Sequence, residues 1–398
     1  MDELIIKSNK LVAGQSLDFK RSLFDTIDWT NRLIGIMGAR GTGKTTMLLQ
    51  RLKALGLSGG QAVYLSLDDI YFTRNSLTDV VNTFAAKGGI FLFLDEVHKY
   101  PDWHREIKNL YDFNRELNIV FTGSSIIDMF QLPIDLSRRA IVYELSGLSF
   151  REFLRYDQGM DFPAIPLVEL LEGHERLALE ISQQIKPLQY FGTYLRNGYY
   201  PFYKENIGTY TARLEQVVRL VIEYDLAFVE RIDHQNIRKI LELLAVLAEH
   251  VPFTPNISDL SRKLSMGRNT LVQYFHYLDK ARLINTLYAA GKGYGKLEKP
   301  GKVLLENPNL FEALAVGHQE KGSVRESFFA GQLRNAGHHL SLHGQGDFTV
   351  DRKFVFEVGG KKKGFKQIAG IPDSFVAADE LESGVGNKIP LWLFGFLY

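Results

Sequence analysis

Gly38-Ala39-Arg40-Gly41-Thr42-Gly43-Lys44-Thr45 satisfies G-x-x-x-x-G-K-[ST] at every fixed position. An apolar run, Leu33 to Met37, leads into it, and a helical pattern through Leu52 follows. Strand, glycine turn and helix are the context this spacing needs. The glycines let the backbone fold tightly, so that its N–H groups point inward at an anion. The positive end of the following helix adds to that field. The reading assigns Gly38 through Thr45, together with Thr46, to the phosphates of ATP. Lys44 reaches the β- and γ-phosphates, and the Thr45 hydroxyl holds Mg²⁺.

Four more apolar runs lie outward from this loop: Ala62 to Leu67, Ile90 to Leu94, Asn118 to Thr122 and Ala140 to Leu145. Helical patterns separate them, which predicts buried parallel strands joined by crossover helices. Asp95-Glu96 closes the third run, at the strand end where open α/β sheets bind ligands. Asp95 is expected to hold Mg²⁺, and Glu96 to polarise the attacking water as general base. Thr122, in Phe121-Thr122-Gly123-Ser124-Ser125, offers a hydroxyl for that water or for the γ-phosphate. Arg138-Arg139 precedes the fifth run, where an arginine is able to stabilise transition-state charge in cis or across a subunit boundary.

Composition narrows the remaining classes. In 398 residues, 47 Lys and Arg face 46 Asp and Glu, so no global field draws the chain to nucleic acid or an anionic membrane. The absence of cysteine excludes disulfides and cysteine-ligated zinc and fits a cytoplasmic protein. The N-terminus MDELIIKSNK is no signal peptide, and no run of 18 apolar residues predicts a membrane span. Residues 1 to about 30 read as amphipathic helix. Ten histidines lack metal spacing; His338-His339, on a helix, would point its rings apart. Ser124 and Ser125 sit in no G-x-S-x-G elbow.

With these residues in view, the chain resembles prokaryotic AAA-type ATPases that carry a C-terminal nuclease-like domain of unknown function. The resemblance rests on Gly38 to Thr45, on Leu94-Asp95-Glu96-Val97-His98-Lys99-Tyr100-Pro101-Asp102-Trp103 and on Thr122-Gly123-Ser124-Ser125. It continues through Leu148-Ser149-Phe150-Arg151-Glu152-Phe153-Leu154 and Phe356-Glu357-Val358-Gly359-Gly360-Lys361. It implies that Arg139 is the arginine that meets phosphate. It also implies an ATP-dependent machine or switch, without naming a substrate.

The expected architecture is α/β: a P-loop NTPase parallel sheet over 1–148, a helical lid over 149–232, a winged-helix domain over 233–306 and a restriction-endonuclease-like α/β domain over 307–398. In the winged helix, Ile237, Leu241, Leu244 and Leu247/Ala248 form one apolar stripe, and Ile257, Leu260 and Leu264 a second. Ser265 is expected to cap a third helix, with Leu271, Phe275 and Leu278 inward. Its other face, Asn269, Gln273, His276 and Lys280, suits base edges or phosphates of DNA, or a protein partner. The hairpin Gly291 to Lys302 holds four lysines and one glutamate, as a basic wing would. At the C-terminal end, Asp347 and Glu357 have the spacing of nuclease metal ligands. The lysine expected two residues after Glu357 is Gly359, and Lys361 comes later. That departure predicts a degenerate domain without DNA cleavage. Pro390 to Tyr398 reads as a terminal apolar strand.

Three functions follow for testing. The first is Mg²⁺-dependent ATP hydrolysis coupled to conformational change, in a monomer or an oligomer. The second is a nucleotide-gated DNA- or protein-binding switch with little turnover. The third is an ATP-regulated nuclease of a defence type.

Overall fold

The computed structural model describes residues 1–57, 60–124, 134–230, 232–250, 252, 254–289, 298–314 and 320–398. They form two compact units that divide after Gly147, with a short segment after Ala227 grouped with the first.

The first unit opens with α1 (Asp2–Ala13), α2 (Ser22–Thr26), β1 (Leu33–Gly38) and α3 (Lys44–Ala54). It continues with β2 (Ala62–Ser66), α4 (Leu77–Ala86), β3 (Phe91–Asp95) and α5 (Trp103–Phe113). It closes with β4 (Asn118–Ser124), α6 (Ile134–Ser137) and β5 (Ile141–Glu144). The strands pair in the order β2-β3-β4-β1-β5, all parallel. Successive residues feed opposite apolar layers, which is why each run is almost continuously apolar. Leu33, Val63, Leu92, Leu94 and Phe121 pack with Val81 of α4 and Ile107 of α5. Ile34, Ile36, Tyr64, Phe93 and Val120 pack with Met47 and Leu48 of α3. Because β4 lies between β1 and β3, the ends of these three strands stand side by side below the glycine loop.

The N-terminal helix is shorter than the sequence suggested: α1 stops at Gly14, and only α2 follows before β1. The role of α1 is to cover an edge, for Ser8 Oγ accepts the outward Tyr64 N–H of β2 at 2.9 Å.

The second unit begins with α7 (Phe150–Gln158), α8 (Leu167–Ser182), α9 (Pro187–Asn197) and α10 (Tyr210–Leu220). Leu148-Ser149-Phe150-Arg151-Glu152 is a helix start: Ser149 and Glu152 form a reciprocal capping box on α7. A π-helical turn, Val221–Leu226, leads to α11 (Ala227–Glu230). Next come α12 (His234–His250), α13 (Ile257–Lys263), α14 (Arg268–Lys280) and the antiparallel pair β6 (Ile284–Leu287) and β7 (Lys302–Leu305). On α12 the buried stripe runs through Ile240 and Leu243 rather than Leu241. Ser265 does not cap α14. It takes a left-handed backbone at φ 48°, and Gly267 stands at the cap.

The unit ends with α15 (Asn309–Leu314), α16 (Lys321–Asn335), β8 (Leu340–Ser341), β9 (Phe348–Val350), β10 (Phe354–Gly359), β11 (Ser374–Ala378) and β12 (Lys388–Pro390). These strands form a sheet in the order β12-β11-β10-β9-β8. Here β8, β9 and β10 are antiparallel neighbours, and β11 and β12 join in parallel. The terminal apolar run is not a strand: Leu391–Phe396 is a buried 3₁₀ helix. A run buried on all sides carries no period that separates helix from strand. His338-His339 follows α16 rather than lying on it, and His338 Nδ1 pairs with Asp351 at 2.7 Å.

Candidate functional site

Gly43 caps α3 at φ 98°, a left-handed conformation that glycine adopts without strain. The turn is braced from inside. Thr42 Oγ1 donates to the Ala39 carbonyl at 2.9 Å, and Lys44 Nζ donates to the Gly38 and Ala39 carbonyls, each at 2.9 Å. Arg21, just before α2, braces it from outside. Its guanidinium donates to the carbonyls of Thr42 at 2.8 Å and of Ser146 and Gly147 at 2.9 Å. The N-terminus of α3 therefore meets a loop whose shape is already set.

Asp95 ends β3 beside this loop and is 2% exposed. Three hydroxyls converge on it. Thr45 and Tyr64 donate to Oδ2, each at 2.7 Å, and Thr122 donates to Oδ1. The strand register accounts for the meeting, since Leu94 lies beside Phe121 and Leu65, which sets Asp95 level with Thr122 and Ser66. The Thr45 proton points at Asp95, which leaves the lone pairs of its oxygen for a cation. A hydroxyl and a carboxylate suit Mg²⁺, which takes oxygen ligands and keeps several waters. Burial and then the charge of Asp95 hold the Tyr64 phenol well above its usual pKa, so it remains a donor.

Glu96 takes φ 54° and ψ 42°, a left-handed backbone that costs a non-glycine residue of order 1 kcal/mol. Its N–H donates to Thr122 Oγ1 at 3.2 Å. Its carboxylate lies 3.3 Å from Nε2 of His98, whose side chain is buried.

Arg139 stands apart. Ile34 of β1 pairs with Ile141 of β5, so Arg139 lies at the start of the strands and the glycine loop at their far end. Six residues of strand separate the two levels, roughly 20 Å. Its guanidinium makes a two-pronged bond to Asp112 of α5, at 2.8 and 3.1 Å. Ser125 lies outside the described residues.

In the second unit, Asn269 and Gln273 of α14 are exposed, while His276 and Lys280 are half-buried. Tyr274 and Phe275 are core residues. Most of the lysine-bearing hairpin, including Lys292 and Lys296, lies outside the described residues. Asp347 and Glu357 do meet, on either side of the β9–β10 turn. Asp347 Oδ2 accepts the Val358 N–H at 2.8 Å. The lysine on Glu357 is Lys363, whereas Lys361 is exposed. Gly359 lies under the Lys363 stem, and a Cβ there would come within 2.8 Å of it. Glu326 of α16 and Lys302 of β7 complete the cluster: Lys302 pairs with Glu326 and lies 3.7 Å from Asp347. Among the described residues, no group of three or more histidine or acidic side chains is arranged to hold a metal ion.

Residues 30–154 match the family described as an AAA domain, and residues 188–319 match a domain of unknown function, DUF8612. Among solved structures, the chain is similar to PCH-2 of C. elegans at 22% identity and a TM-score of 0.25, over 39% of this chain and 44% of that one. It is also similar to AMPPCP-bound DnaA of Aquifex aeolicus at 18% identity and a TM-score of 0.27, over 63% of this chain and 82% of that one. No curated protein matches it. The match over 30–154 supports an ATP-binding, AAA-type ATPase domain in the first unit, whose parallel sheet is that of a P-loop fold.

Proposed function

We propose that the first unit binds Mg²⁺·ATP in the loop Gly38 to Thr45 and hydrolyses it to ADP and phosphate. Hydrolysis is coupled to a conformational change that acts on a protein or DNA partner. The observation that carries this reading is the convergence of Thr45, Thr122 and Tyr64 on the buried carboxylate of Asp95, directly below the loop.

In this reading the loop amides and Lys44 hold the phosphates, and Thr45 and Asp95 hold the cation. Mg²⁺ neutralises charge that develops on the phosphate oxygens. Glu96 takes a proton from the attacking water, and Thr122 orients the Glu96 backbone through its N–H. Arg139 acts on the nucleotide of a neighbouring copy, because within one chain it faces the wrong end of the sheet. The second unit comprises a helical lid (149–232), a winged helix (233–306) that presents Asn269 and Gln273, and a nuclease-like domain without cleavage activity (307–398). The setting is cytoplasmic. No helix among the described residues is long and apolar enough to cross a membrane.

One contact favours a second reading, a nucleotide-gated switch with little turnover. His98 Nε2 lies 3.3 Å from the Glu96 carboxylate, and a base drawn aside toward it would turn over slowly. Phosphate release by wild type and Glu96→Gln tests both. The hydrolytic reading expects measurable turnover that falls about 10²- to 10⁴-fold in the variant, while ATP binding persists. Equal turnover in the two proteins removes Glu96 from the mechanism. Nucleotide binding without turnover in wild type selects the switch.

A further inference from the structure

We propose that Tyr64 is a positioning residue for the cation that accompanies ATP, acting through Asp95. The inference rests on the nucleotide reading above and adds a part that no phosphate-loop or acidic motif contains.

Tyr64 lies in the middle of β2, where its ring packs in the apolar layer under α3. Among the described residues, β2 is an outer strand of the sheet, with β3 as its strand neighbour. Tyr64 pairs with Phe93, two residues before Asp95, so its ring leans along the strand and carries the hydroxyl to the carboxylate. The O–H donates to Asp95 Oδ2 at 2.7 Å. That oxygen also accepts from Thr45, the residue whose lone pairs face the cation position. Thr122 fixes the other carboxylate oxygen. Two donors from different elements thus share Oδ2. Thr45 sits on the first turn of α3, next to the loop. Tyr64 is locked by its ring in the core and by Ser8, which accepts its backbone N–H. The phenol therefore fixes the carboxylate plane independently of the loop. With Tyr64 on Oδ2, the carboxylate keeps a donor there even where the Thr45 hydroxyl is given over to the cation. Partners of this kind, which orient the groups that hold a metal, commonly contribute 10- to 100-fold to metal affinity.

Tyr64→Phe keeps the ring and removes the hydroxyl. The measurement is binding of a fluorescent ATP analogue, first in EDTA and then titrated with Mg²⁺. It uses the full chain as wild type, Tyr64→Phe, Asp95→Asn and the double variant. In Tyr64→Phe the Mg²⁺ concentration for half-maximal effect rises about 10-fold, and the loss is confined to the Mg²⁺-dependent part of binding. In the Asp95→Asn background, Tyr64→Phe adds no comparable shift, because the hydroxyl acts through that carboxylate. A wild-type Mg²⁺ titration in Tyr64→Phe overturns the proposal while leaving the nucleotide site intact. So does an equal shift in both backgrounds. Wild type that binds no nucleotide under any condition overturns the underlying reading, and this proposal with it.

Discussion

Asp95 at the end of β3 and Glu357 on β10 are both buried strand carboxylates, 2% and 1% exposed. Their surroundings differ in kind. Asp95 is met by three hydroxyls, from Thr45, Tyr64 and Thr122. Glu357 is met by the ammonium of Lys363, and its neighbour Glu326 by that of Lys302. Hydroxyls solvate an anion without cancelling its charge. An ammonium cancels it. The first arrangement keeps a negative charge ready for a divalent cation, whereas in the second two lysines already offset most of the charge of Glu357, Glu326 and Asp347. Burial, the largest influence, raises the pKa of both Glu326 and Glu357, and the lysines oppose it. Two sites that look alike in sequence, an acidic residue on an apolar strand, thus differ in what they are able to bind.

Arg139 gives the comparison its hardest case. Within one chain it is neutralised by Asp112, as Lys363 neutralises Glu357, yet that pair is about a third exposed and able to open. If it opens toward a neighbouring copy, Arg139→Ala slows hydrolysis by about 10²-fold or more with little change in ATP affinity. Wild-type turnover per chain then rises with protein concentration. Steady-state phosphate release across a dilution series checks both points. A wild-type rate in Arg139→Ala, with Arg138→Ala impaired, moves the role to the neighbouring arginine.

The second region is expected to respond in stability. Lys363→Met leaves Glu357 buried without its cation. The cost is on the order of 2 kcal/mol, below that of a fully buried pair because Lys363 keeps 30% of its side-chain exposure. The double variant Lys363→Met, Glu357→Gln recovers most of it. Denaturant unfolding followed in the full chain reads the difference. An unchanged midpoint in the single variant means that the pair contributes nothing.

The smallest expected effect is none at all. Plasmid and single-stranded DNA incubated with Mg²⁺ or Mn²⁺, with and without ATP, stay intact. Metal-dependent nicking that disappears in Glu357→Ala and in Lys363→Ala would erase the distinction between the two regions.

The five parallel strands were legible in the sequence, because each apolar run is contiguous and a buried parallel strand announces itself within one segment. The sequence reading missed partners brought in by register. Tyr64 looked like one more apolar strand residue, because nothing in Ala62 to Leu67 says that its hydroxyl lies beside the end of β3. Arg21 was silent because the carbonyls it meets, of Thr42, Ser146 and Gly147, are distant in sequence. At the second sheet, spacing counted along the chain found Gly359 at the lysine position and Lys361 as the next lysine. The turn after β10 instead folds Lys363 back over Gly359, a position open to it because glycine has no side chain. Glu326 and Lys302 come from separate elements, and no spacing rule reaches them. The terminal run Leu391–Phe396 shows the opposite failure, since complete burial removed the period that would have marked it as helical.

The central claim is that Mg²⁺·ATP binds at the loop that ends beside Asp95. Thermal melting with and without Mg²⁺·ATP, wild type beside Lys44→Ala, tests it most directly. A ligand that binds only the folded state, at a hundredfold excess over its Kd, adds about 2.7 kcal/mol of stability. Wild type should therefore melt several degrees higher with the nucleotide, and Lys44→Ala should show little or no shift. An equal shift in both proteins would contradict the account, because the nucleotide would then be bound somewhere else.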